Sequence, residues 1–345
     1  MKRVLDVKFN VLRDGAVFSE IFPVGMPALR MNSNGDIKAA LAGEFLDNPS
    51  VNWLTDTVQP VLIVDGQTSP LGVFLPAAVQ RKETETTKSI ELELYDRCWQ
   101  VKDSLTETHI RLNAGANYVD LVQTLLVEAG VTLVQATPTA ATLAEDREDW
   151  DVGTSRLEII NQLLAEINYN SLWFNSDGAA IVEPVTVPTA ANIKHILDGN
   201  DIRSLLRPQI STELDFYNAP NVFICVCSNA DKSAPLVATA VNDNPQSPLS
   251  IPRRGRRIAQ VTKVDNIADL DALQEFANIQ RNNSMMGAEV IEIETALHPG
   301  FGAFDVTAIN YGEISGICAE TAWEMALKTG GTMKHTLKKV VYALE

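Results

Sequence analysis

Cys225 and Cys227, two positions apart, are the closest pair of soft metal ligands in this 345-residue chain. On a strand that spacing turns both thiols to one face. Zinc would need two more ligands from Cys98, Cys318, His109, His195, His298 or His335, and none stands at metal-motif spacing. Packing in an apolar core is the usual fate of such thiols, so no metal and no cofactor is expected. The histidines are isolated, without a His-Glu-x-x-His, a Gly-x-Ser-x-Gly or a phosphate-cradling Gly-x-x-x-x-Gly-Lys. A Cys/His nucleophile pair meeting only in space stays open, but no local signature marks any cysteine as activated.

Two charge runs carry the remaining chemistry. Glu145-Asp-Arg-Glu-Asp-Trp-Asp151 is rich in carboxylates and reads as a calcium loop, a glycosidase-type acid pair or a solvated turn. It lacks the alternating oxygen ligands and mid-loop glycine of a calcium loop, which favours the solvated turn. Pro252-Arg-Arg-Gly-Arg-Arg257 places Arg253, Arg254, Arg256 and Arg257 together. No aromatic residues interleave to stack bases. An arginine loop in an acidic chain is suited to carboxylate forks on a neighbouring chain, so these four are the candidate interface residues.

The elements that position these residues alternate between β and α. Residues 1–105 read as strands and hairpins, with turns at Asp14-Gly15 and Asp65-Gly66. Val61–Val64 and a return over Leu71–Val79 form the second hairpin, and Ile90, Leu92 and Leu94 alternate with Glu91, Glu93 and Tyr95. Such short strands suggest a small barrel or sandwich. Residues 106–190 hold a helical unit used twice: Gly115–Glu128 is echoed 38 positions later by Gly153–Glu166. Each copy opens on a cap, Asn117 to Asp120 and Ser155 to Glu158, the latter expected as a reciprocal capping box. Leu121, Val122, Leu125 and Leu126, and Ile160, Leu163, Leu164 and Ile167, then recur at helical spacing. A small hairpin follows over 171–182. Residues 191–345 return to β, with a buried strand at Asn221–Cys227, a long exposed loop over Pro235–Arg257, a helix over 266–283 and a closing hairpin turning at Gly330-Gly331. The fold class is α+β, mostly β.

Composition narrows the functions. Basic residues number 28 against 44 acidic, and residues 106–195 hold 4 against 12. That balance disfavours nucleic acid and anionic membranes, which need a concentrated positive surface. No apolar run is long enough to span a bilayer, and no signal-peptide core follows Lys2 and Arg3, so cytoplasmic synthesis without a signal peptide is expected. The four cysteines are expected reduced.

Trp150–Leu164, followed by Leu172-Trp-Phe-Asn-Ser-Asp-Gly178 and Val182-Glu-Pro184, resembles the central segment of phage tail and baseplate hub proteins. Gly330–Val340 resembles their closing strand, and the helix-then-strand run Val264–Ile293 stands where such hubs place one. The resemblance covers residues 110–185 and 255–342; the first hundred match mainly in β character. It implies two small β-barrel domains, 1–105 and 191–345, flanking the α+β module, with 266–283 inserted in the second barrel. It implies a homotrimer adapting a six-fold tail tube to a three-fold central spike, in the virion tail or baseplate of a phage, prophage, tailocin or contractile injection system. The partners are then further copies of the chain, the tail tube or distal tail protein, and a spike on a separate chain. No catalytic residue is expected. The alternative is a tail-associated cell-wall-degrading enzyme; a sugar-binding module is a third reading, with Trp53, Trp99, Trp150, Trp173 and Trp323 to be placed.

Overall fold

The computed structural model describes residues 4–340 apart from 86, 149, 202–205, 215–218, 228–234, 265–266, 268 and 287–288. The chain opens with β1 (Leu5–Arg13), β2 (Ala16–Ile21), β3 (Ala28–Asn32), β4 (Ala39–Leu46), β5 (Thr57–Val64), β6 (Gln67–Pro70), β7 (Leu75–Glu83) and β8 (Lys88–Tyr95). Asp14 and Gly15 both have positive φ, 51° and 78°, as a two-residue turn matched to strand twist requires. Asp65 and Gly66 repeat this at 50° and 85°. The second hairpin therefore returns at once as β6, and not at Leu71 as expected, because a two-residue turn fixes the register immediately after its glycine. Ile90, Leu92 and Leu94 are buried while Glu91 and Glu93 are exposed, the expected alternation.

The middle of the chain holds α1 (Arg97–Asp103), α2 (Tyr118–Glu128), β9 (Val134–Ala136), α3 (Arg156–Glu166), β10 (Trp173–Phe174) and β11 (Ala180–Val182). Asn117 Oδ1 accepts from the backbone N–H groups of Val119 and Asp120. Ser155 Oγ accepts from Leu157 N at 3.2 Å, one residue earlier than expected, and Glu158 is exposed. Either bond satisfies one open donor of the first turn. The two helices pack on each other over Val122, Leu125, Leu126, Ile160, Leu163 and Leu164.

The rest comprises β12 (His195–Asp198), β13 (Leu206–Leu214), β14 (Val222–Cys227), β15 (Leu236–Val241), α4 (Ile251–Arg254), β16 (Ala259–Val264), α5 (Leu270–Met286), β17 (Glu289–Ala296), β18 (Val306–Tyr311), β19 (Ile314–Ala326) and β20 (Thr332–Lys339). The stretch expected as an exposed loop is partly strand, because Ala238 and Ala240 alternate inward. Its Ser247, Leu249 and Ser250 are buried as well. Leu214 pairs with Glu289 across β13 and β17. The chain thus leaves the sheet after Leu214 and re-enters it at the neighbouring Glu289, and the expected helix, observed as α5, belongs to an insert that also owns the sheet β15-β14-β16. Tyr342, expected in the closing strand, lies outside the described residues.

One large sheet runs β7-β8-β4-β3-β19-β20-β17-β13, every adjacent pair antiparallel. Along this run β3 and β19, centred on Arg30 opposite Glu324, form a seam with four strands on each side; β18 also pairs with β19 and β12 with β18, so the C-terminal side holds six of the sheet's ten strands. A single hydrophobic cluster underlies both sides, from Phe9, Leu29, Leu41 and Phe45 to Ile291, Met325, Met333 and Leu337. The α+β module and the insert each bury a cluster of their own. No described helix is long and apolar enough to cross a membrane.

Candidate partner interface

The arginine loop is held rigidly from beneath. Asn221, fully buried, donates through Nδ2 to the carbonyls of Leu249 and Arg256 and accepts from Ile258 N at 2.7 Å. Asn242 Nδ2 donates to Ser247 Oγ, and Ser250 Oγ to the Ser247 carbonyl. Gly255 ends α4 with φ 65°, a left-handed conformation that glycine adopts without steric cost. Of the four arginines, Arg254 is half-buried and donates to the Ala219 carbonyl at 2.7 Å, which makes it an anchor of the loop. Arg253, Arg256 and Arg257 are exposed on one loop, in a chain of net charge −16.

The other chemistry-bearing residues are placed in the interior. Cys225 and Cys227 point together, as expected, into the core between β14 and α5. All four cysteines are buried and none is in a disulfide; burial pushes the Cys318 thiol up to about 12, far from a reactive thiolate. The acidic run divides by direction. Asp146 and Glu148 face Arg111 at 2.7 and 3.0 Å at the surface. Arg147 turns inward to Glu166, both buried, with the Tyr118 hydroxyl donating to the same carboxylate at 2.8 Å and the Trp150 ring 4.9 Å from the guanidinium. The run is therefore not wholly a solvated turn: a β-bridge between Leu112 and Arg147 makes alternate residues face the core. Its Asp149 lies outside the described residues.

A group that sequence reasoning missed is a buried histidine–carboxylate cluster beneath the second half of the large sheet. His335 Nδ1 meets Glu320 Oε1 at 2.9 Å and its Nε2 meets Thr295 Oγ1 at 3.0 Å. Asp305 accepts from Lys194 Nζ, His195 Nε2 and Gly302 N. Phe301 stacks on His195 at 3.7 Å and approaches His335 at 4.7 Å. Burial raises the Glu320 carboxyl; for Asp305 burial also raises it, but its three hydrogen bonds outweigh that and hold it below its ordinary value. Four strands and the loop preceding β18 contribute, so the cluster stitches elements together with its polar atoms engaged. Its only sequence signal was a polar residue at an inward position of an alternating strand. Among the described residues no group of three or more His, Cys, Asp and Glu is placed to hold a metal ion.

Among the described residues, one surface groove lies over the large sheet and another beside the α+β module. One, about 570 Å³, runs over the outer face of the large sheet. Along it Arg30, Glu324, Lys334 and Glu294 face one another across four strands, with Arg30 and Glu324 paired at 3.1 Å. The other, about 340 Å³, separates the α+β module from the sheet and is lined by amides and by Lys194 and Lys338. Trp53, Trp150, Trp173 and Trp323 are buried and Trp99 is half-buried, so the tryptophans build cores and offer no exposed stacking platform for a sugar.

Neither a protein-family model nor a curated protein matches the sequence. Solved structures do match the fold, nearly end to end. The chain is similar to a tail protein of Neisseria meningitidis over 97% of its length and 96% of that chain, at 13% identity and a TM-score of 0.66. It is similar to a 43 kDa tail protein of prophage MuSo2 from Shewanella oneidensis over 98% of its length and 99% of that chain, at 8% identity and a TM-score of 0.68. A third similar structure is an Escherichia coli type VI secretion component that itself exhibits structural similarity to the T4 phage tail proteins gp27 and gp5; it matches 100% of this chain and 77% of its own, at 9% identity and a TM-score of 0.54. The fold is that of phage and prophage tail proteins.

Proposed function

We propose that this chain is a structural hub of a phage tail, prophage tail or related injection machine, working as a homotrimer without catalysis. The observation that carries the reading is the end-to-end fold match with two tail proteins, which leaves almost none of either chain outside it. The strand order of the large sheet supports the finer reading. In its main run four antiparallel strands stand on each side of an antiparallel seam, with β18 and β12 added on the C-terminal side; on this reading each chain offers two related β units, barrel-like domains that flank the α+β module. Three chains then present six, which suits a six-fold tube on one side and a three-fold spike on the other. The partners are the tail tube or distal tail protein and a spike; Arg253, Arg256 and Arg257 serve contacts between chains, and Arg254 holds their loop. The net acidic surface supports passage of nucleic acid without stable binding.

The test is the purified chain's mass by light scattering together with electron-microscopy class averages. A trimer whose averages contain six similar densities in a ring supports the proposal. A chain that remains monomeric, or one that releases soluble fragments from peptidoglycan, overturns it.

A further inference from the structure

Among the described residues, the insert's helix covers one face of its sheet. On β14, β15 and β16, Phe223, Cys225, Cys227, Ala238 and Ala240 point to α5 and form the insert's core. The opposite face follows from the register, which sets Ile224 beside Thr239 and Val261, and Val226 beside Val237 and Lys263. It is an apolar, largely β-branched surface of Ile224, Val226, Val237, Val241 and Val261, and none of the five belongs to a described hydrophobic cluster. Val237 is 52% exposed and Val261 59%. β16 is also an edge strand, with β14 its one described neighbour. Lys263 stands on this face, and exposed Arg253, Arg256 and Arg257 stand where the chain enters β16.

A surface with complementary chemistry exists elsewhere on the same chain. In the α+β module, Leu105 is 50% exposed and Val152 53%. Thr106 N donates to the Thr154 carbonyl and Gly153 N to the Thr106 carbonyl, so the two segments run side by side. Exposed Asp103, Glu107 and Asp151 lie within two residues of this apolar pair along the chain. One patch is therefore apolar with a cationic rim; the other is apolar and flanked by three carboxylates against Arg156, whose guanidinium donates to the Leu105 carbonyl and pairs with Glu128.

We propose that the open face of the insert's sheet docks on the Leu105–Val152 patch of the next copy, as the head-to-tail contact that closes the ring. This rests on the trimer reading and deepens it by naming the surfaces. Charge complementarity carries the choice of occupant, because the arginine face meets its opposite in the module that holds 12 acidic residues against 4 basic. Two different patches on one chain make a heterologous contact, and such contacts form closed rings when the rotation permits.

Three measurements test it. In wild-type protein, carbodiimide coupling should join Lys263 to Asp103, Glu107 or Asp151 in species of trimer mass, read by mass spectrometry. The variant R253E/R256E/R257E, checked for native circular dichroism, should raise the concentration at which the trimer half-dissociates about tenfold or more. Adding K263E together with D103K/E107K/D151K to the same chain should restore assembly, since every contact then regains opposite charges. A wild-type trimer whose Lys263 couplings fall elsewhere, or whose assembly ignores both charge sets, overturns the docking and leaves the trimer standing. A wild-type chain that stays monomeric overturns the trimer, and the docking with it.

Discussion

Arg147 and Glu166 illustrate how little a charge run says about its members. The guanidinium lies 2.9 Å from the carboxylate with both side chains buried, and removing one partner leaves the other charged and desolvated. Arg147→Met should cost about 3–5 kcal/mol in chemical denaturation, and Arg147→Met combined with Glu166→Leu should recover part of it; a double variant no more stable than the single would refute the coupling. Asp96 offers a pH test. It is buried, caps α1 and accepts from Ala39 N, and burial outweighs those bonds and raises its carboxyl to about 6. The folded state therefore holds the proton more tightly than the unfolded chain, whose value is about 4. The contribution is complete below about pH 4 and lost as pH rises past about 6, on the order of 3 kcal/mol in all. Thermal melts of Asp96→Asn should fall less steeply than wild type across that window, and parallel slopes would sink the assignment.

At the scale of elements, the two capped helices were legible because their signals are local. A cap oxygen, an acidic first turn and apolar residues at helical spacing need no distant partner. The caps differ in strength. Asn117 accepts from two N–H groups and donates to the Thr139 carbonyl at 2.8 Å, whereas Ser155 accepts from one. Asn117→Ala and Ser155→Ala should each cost about 1 kcal/mol, with Asn117 the larger; equal or reversed losses in urea denaturation would contradict this ranking. The stretch over 235–257 was misread because proline, asparagine and serine are turn formers in isolation. Here Asn242, Ser247 and Ser250 are buried and linked in series by hydrogen bonds, a pairing visible only once the chain has folded back.

For the whole molecule, the seam between β3 and β19 matters most. Leu29 faces Met325 across it and both are buried, so packing here belongs to both ends of the chain at once. Leu29→Ala should cost about 2–5 kcal/mol and should speed hydrogen exchange in β4 and β20 together. Exchange enhanced in β4 alone would mean that the two β regions open independently. Joining residues almost 300 positions apart carries a loop-closure cost that grows only slowly with separation, so such a seam is thermodynamically accessible though invisible to local pattern.

Hairpins, helix caps, inward-facing strand residues and the arginine loop were set by the sequence itself, because turn chemistry, capping and period-two or 3.6-residue alternation act over a few residues. The similarity of 150–184 and 330–340 to tail hubs was legible for the same reason. Tertiary structure alone decided that Arg254 anchors its loop while Arg253, Arg256 and Arg257 stay exposed, that α5 covers one face of the insert's sheet, and that His335, Glu320, His195 and Asp305 converge. Each of these depends on contacts between segments far apart in the chain, where side-chain direction is fixed by packing and not by neighbouring residues.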